Sequence, residues 1–100
     1  MDPKIPVDRT KIQAFGEKWK VKELYLFGSV LREDFRPDSD VDVLIKFTSL
    51  EGIGLDEWFG MIEELEAIFG RKVDLVSATG VKNPFIRQEI AQTRRLIYAA

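Results

Sequence analysis

The chain contains no cysteine and no histidine among its 100 residues. Without cysteine there is no disulfide, no thiolate metal centre and no thiol nucleophile, and such a chain suits a reducing cytoplasm, the location we expect. Without histidine the commonest general base and the usual zinc ligand are missing. Any catalysis must then use carboxylates, hydroxyls, lysine or arginine, with a hard cation as the natural companion. Charge of one sign is not in excess either. Fifteen basic against seventeen acidic side chains leave a net charge of -2, which gives no global attraction to nucleic acid or to an anionic membrane. We find no signal peptide, membrane-length apolar run, repeat or internal boundary. The length fits one small domain, residues 1–100, with a single core and no room for a separate acceptor-binding domain.

What is present is an alternation of strand and helix patterns. Asp8 is placed to cap a helix carrying Ile12, Phe15 and Trp19 on one side. A strand follows from Val21 to Phe27, then a short helix or turn over Ser29–Glu33 and a loop around Pro37. Val41, Val43, Ile45 and Phe47 alternate with Asp40, Asp42, Leu44 and Lys46, the two-residue period of a strand. Leu55, Trp58, Phe59, Ile62, Leu65 and Phe69 recur at helical spacing as an apolar face, ended by Gly70. A third strand covers Arg71–Ser77, Asn83-Pro84 starts a last helix running to about Thr93, and Leu96-Ile97-Tyr98 reads as an edge strand. The fold class expected is α/β (α+β): a small mixed sheet with helices packed on one face.

The stretch GSVLREDFRPDSDVD, Gly28 to Asp42, carries the chemistry. Gly28 has no side chain to keep a phosphate from the backbone, and Ser29 adds a hydroxyl; a plain strand-ending turn is the competing reading. Asp40 and Asp42, two residues apart on a strand, point to one side and can grip a divalent cation, or else form a solvated edge face. Aspartate is depleted in strands and like charges on one face repel, so the pair asks for an explanation. Asp74, flanked by Val73 and Leu75, supplies a third carboxylate if its strand lies beside theirs. Arg32 can reach a phosphate or pair with a carboxylate, and Ser39 can contact nucleotide or simply shape the loop.

Gly-Ser, ten residues, Asp-Val-Asp and a later isolated strand aspartate together resemble the signature of the DNA polymerase beta-like nucleotidyltransferases. The flanking LYLFGSVLREDFRPDSDVDVLIKF is similar to the minimal nucleotidyltransferase group, over about Val7 to Tyr98. The resemblance implies that Gly28 and Ser29 contact the triphosphate, with Arg32 and Ser39 as the further nucleotide-binding candidates read from the residues. Asp40 and Asp42 would be paired magnesium ligands, and Asp74 a third, activating the acceptor hydroxyl. Two Mg2+ ions and ATP as substrate are implied. The group often has Arg at the position of Val30 and Gly at that of Glu33, so both places depart from its pattern. The implied role is that of an antitoxin that attaches AMP to a tyrosine of a HEPN-domain protein encoded by the neighbouring gene, as a homo-oligomer or a hetero-oligomer with that partner. Neutralisation by occlusion alone, and transfer to a small molecule, are the alternatives.

Overall fold

The computed structural model describes residues 5–31, 36, 39–48, 52–78 and 84–100, without the side chains of Ser29, Ile86 and Glu89. Its elements are α1 (Arg9–Lys18), β1 (Val21–Phe27), a 3-10 turn (Gly28–Leu31), β2 (Val41–Phe47), α2 (Leu55–Phe69), β3 (Val73–Ser77), α3 (Pro84–Thr93) and β4 (Arg95–Ala99). The sheet order is β3-β2-β1-β4. β1 runs antiparallel to both β2 and β4, whereas β2 and β3 are parallel, joined through α2. This is the mixed sheet expected, with β4 on an edge.

Local chemistry explains the element ends. The Asp8 carboxylate accepts the Lys11 backbone N–H at 3.1 Å and so caps α1. α2 stops where Gly70 enters the left-handed region at φ 70° and donates its N–H to Glu66 O at 2.8 Å. The Glu66 carboxylate accepts the Val73 N–H at 3.2 Å, which ties the end of α2 to the start of β3. Asn83, the expected cap of α3, lies outside the described residues, and Pro84 is the first helical position.

Alternation on the strands makes two faces. On one, Leu24, Leu26, Val41, Val43, Ile45, Val73 and Leu75 meet Ile12 and Phe15 of α1 and Met61 and Leu65 of α2. Fully burying side chains of this size contributes about 1.5–3 kcal/mol each. On the other, Ile90 of α3 packs on Tyr25, Phe27 and Leu44. Helices α1 and α2 share one face as expected. Helix α3 departs from the expectation of helices on a single face and half-covers the opposite one, where Tyr25, Phe27 and Leu44 offer it an apolar patch.

One core expectation is corrected. Leu55 and Phe59 belong to the helical repeat, yet they are 74% and 58% exposed. The face that packs instead runs through Trp58, Met61, Ile62, Leu65, Ile68 and Phe69. The apolar stripe of α2 is wider than the sheet beneath it, so its first turn and one flank remain in solvent.

Candidate active site

Strand register lines up the candidate residues along the face shared with α3. Phe27, the last residue of β1, pairs with Asp42 of β2, and Asp42 pairs in turn with Asp74 of β3. Parallel neighbours in register present their side chains to the same face, with strands about 4.8 Å apart. Asp42 and Asp74 thus stand side by side, Asp42 half-buried and Asp74 exposed. Asp40 precedes β2 by one residue and is exposed. The Val41 N–H donates to Lys72 O at 2.9 Å, carrying the β2–β3 pairing up to the residue beside Asp40. Among the described residues, no three acidic side chains converge into a ready-made metal site.

Gly28 lies just beyond Phe27, past the end of the sheet at which Asp40 sits. Its φ of 74° is a left-handed conformation that favours glycine, and it turns the chain from β1 into the 3-10 turn. Its N–H donates to the Thr93 hydroxyl at 3.1 Å, so α3 pins the turn. The turn sends Val30 and Leu31 into the core, at 0% and 2% exposure. Position 30, where the resemblance expects arginine, therefore faces inward in this chain. The backbone of Ser29 belongs to the turn, its hydroxyl lies outside the described part, and Arg32 and Glu33 lie outside the described residues.

Ser39 shapes its loop. Its hydroxyl accepts the Arg36 N–H at 3.1 Å, and its own N–H donates to Arg36 O at 3.0 Å. A serine hydroxyl keeps a proton to donate, so the loop role leaves a ligand contact open. Sequence reasoning missed two residues here. The Arg71 guanidinium donates to Arg36 O at 3.2 Å and Ser39 O at 3.5 Å, holding the approach to Asp40. Thr93, by anchoring Gly28, fixes the turn from the far end of the sequence. Neither had a local signal, because both act across more than 30 residues.

Farther along the same face, the Tyr25 hydroxyl donates to Glu23 at 3.1 Å and Lys46 pairs with Glu23 at 3.4 Å. First the Tyr25 hydrogen bond and then Lys46 hold the Glu23 carboxyl below its ordinary value, against the opposing effect of burial.

Comparison with known proteins bears on family and fold. The family described as nucleotidyltransferase domain matches residues 9–97. A candidate protein adenylyltransferase of Methanocaldococcus jannaschii is 37% identical over 82 residues, covering 82% of this chain and 80% of its own. A toxin–antitoxin crystal structure with AMP-PNP superposes with a TM-score of 0.73 at 18% identity, over 94% of this chain and 75% of that one. A tri-AMPylated Shewanella oneidensis HEPN toxin in complex with an MNT antitoxin gives a TM-score of 0.65 at 17% identity, over 92% and 70%. At these identities the two structures speak for the fold alone.

Proposed function

The chain belongs to the nucleotidyltransferase domain family, and from that premise we propose that it moves AMP from ATP onto a tyrosine hydroxyl of a partner HEPN protein, acting as its antitoxin. The observation that carries the reading is the register: Asp42 and Asp74 share one sheet face, with Asp40 at its edge and the Gly28 turn beyond. The similar M. jannaschii protein is named for protein adenylylation, and a fold relative is recorded with an AMPylated HEPN toxin. Reaction and partner come to this chain by that likeness. ATP as substrate and a chain without cysteine support a cytoplasmic location.

The donor set fits magnesium. Asp40, Asp42 and Asp74 offer only hard oxygen ligands, and Mg2+ is bound by one or two carboxylates together with substrate phosphates and water. A pair of carboxylates on adjoining strands suffices for such an ion when phosphate oxygens complete the shell. When bound, two such ions would neutralise charge on the triphosphate. The chain's own residues do the rest. The Gly28–Ser29 turn receives the phosphate tail, and α3 keeps the turn in place through Thr93. Asp74, exposed and without a histidine to compete for the role, takes the proton of the attacking hydroxyl.

The test is to mix the purified chain with its neighbouring-gene HEPN protein, ATP and magnesium, and to weigh both by intact mass spectrometry. A gain of one or more AMP groups by the partner is expected. Inhibition of the partner with no mass gain means occlusion and refutes the enzyme reading.

A further inference from the structure

Beyond the carboxylates, the same sheet face continues into a pocket of about 240 Å3 between β2 and α3. Leu44, Ala78 and Ile90 give it an apolar floor, Ala91 lies exposed beside it, and Lys46, Arg87 and Arg94 give it a cationic rim. Lys46 is already paired with Glu23, and Arg94 lies 5.4 Å over the Tyr25 ring. No carboxylate among the described residues lines the pocket. It is smaller than the sites that take a whole cofactor or drug-sized ligand, at roughly 300–1,000 Å3. Its size and lining suit one aromatic side chain with a polar end: ring on the aliphatic floor, oxygen directed toward Asp42 with the cations alongside.

Position along the face says which aromatic group. Because β1 and β2 are antiparallel, Gly28 lies at the Asp40 end of the face, whereas Leu44 and Lys46 lie beyond Asp42 in the other direction. In phosphoryl-group transfer the attacking and leaving oxygens are roughly in line. If the pyrophosphate leaves toward the Gly28 turn, the acceptor oxygen arrives from the Leu44 side. One residue pair along a strand is about 6.8 Å, so Leu44 stands about one aromatic ring away from Asp42.

We propose that this pocket seats the phenol side chain of the acceptor, an inference that rests on the adenylyl-transfer reading above. In the step itself the phenol oxygen bonds to the α-phosphorus of the nucleoside triphosphate. The bond from that phosphorus to the bridging oxygen breaks, pyrophosphate departs with the electron pair, and the phenolic proton passes to the Asp74 carboxylate. The rim cations favour the developing phenolate.

The experiment follows AMP transfer to the partner HEPN protein by intact mass, as a function of partner concentration. Ala91→Trp fills the pocket from an exposed helical position, and Arg87→Glu reverses a rim charge without adding bulk to the floor. Both should raise KM for the partner at least tenfold while leaving the thermal shift with ATP and magnesium unchanged. N-acetyltyrosinamide should compete with the partner on wild type and lose that effect on Ala91→Trp. If Ala91→Trp melts early, Arg87→Glu decides. Wild-type KM in both variants overturns the proposal, and so does loss of the ATP–magnesium shift, which would make the pocket part of the nucleotide site. Absence of competition by the free phenol overturns the phenol assignment. If wild type transfers nothing, the functional reading itself has failed and the inference falls with it.

Discussion

Asp42 of β2 and Asp74 of β3 are register partners in the parallel half of the sheet, on the face that α3 only half-covers. Two like charges facing each other across strands oppose pairing by roughly 0.2–1 kcal/mol. A fold that keeps them adjacent bears a small cost that a bound cation would remove.

Neutralising one of them should therefore separate stability from activity. Asp42→Asn is expected to abolish AMP transfer to the partner while the metal-free melting temperature holds or rises, as should Asp40→Asn. Calorimetry without metal, read beside the mass-spectrometric assay, checks this. A drop of several degrees would make the residues structural and count heavily against the site.

Metal and nucleotide should bind as a pair. Magnesium alone lacks phosphate oxygens to complete its shell, and the triphosphate alone faces acidic side chains. Added together they should raise the melting temperature by more than the sum of their separate effects, since the complex binds only the folded state. Shifts that merely add would argue against a shared site.

Much of this was legible because its signals are local. The Asp8 cap, the alternation Val41–Phe47, the Gly70 stop and the Pro84 start each sit within a few residues of what they control. The adjacency of Asp74 to Asp42 was readable only as a condition, since strand order is set by how α2 crosses over, not by either strand's composition. Leu55 and Phe59 show the limit from the other side: periodicity reports which face is apolar, not how far the sheet beneath it extends. The anchors Thr93 and Arg71 were out of reach because one hydroxyl and one guanidinium acting over long sequence separations leave no pattern.

Thr93 can be tested directly. Thr93→Val keeps the shape but removes the acceptor of the part-buried Gly28 N–H. An unsatisfied buried donor costs about 1–3 kcal/mol, so denaturant midpoints should fall. Because the turn it pins is the one proposed to receive phosphate, the ATP–magnesium thermal shift should shrink as well. A variant less stable but with an undiminished nucleotide response would show that the turn holds without α3.

Gly16 carries a packing constraint of its own. Alanine in place of a helical glycine ordinarily stabilises by up to about 1 kcal/mol. Here a methyl group would run into the Tyr98 ring of β4, which lies directly over Gly16. Gly16→Ala should instead destabilise by about 1–3 kcal/mol, the usual cost of overpacking. Combining it with Tyr98→Ala should recover part of that loss, a coupling that a double-mutant cycle in urea would reveal.

The last prediction concerns Asp74 and the direction of proton flow. A phenol has an unperturbed pKa of about 10, so at neutral pH the acceptor arrives protonated. The chain has no histidine to take the proton. Asp74 is exposed on the edge strand, level with the half-buried Asp42, and is therefore the carboxylate best placed to meet an incoming side chain. Asp74→Asn keeps size and hydrogen bonding but removes the basic oxygen. It should retain the thermal shift with ATP and magnesium in large part while losing transfer to the partner by 100-fold or more, the scale on which general bases act. Equilibrium binding of a non-hydrolysable ATP analogue gives the first quantity, and single-turnover mass spectrometry gives the second. If nucleotide binding disappears with transfer, Asp74 acts as a ligand for the nucleotide complex and the proton must leave by another route.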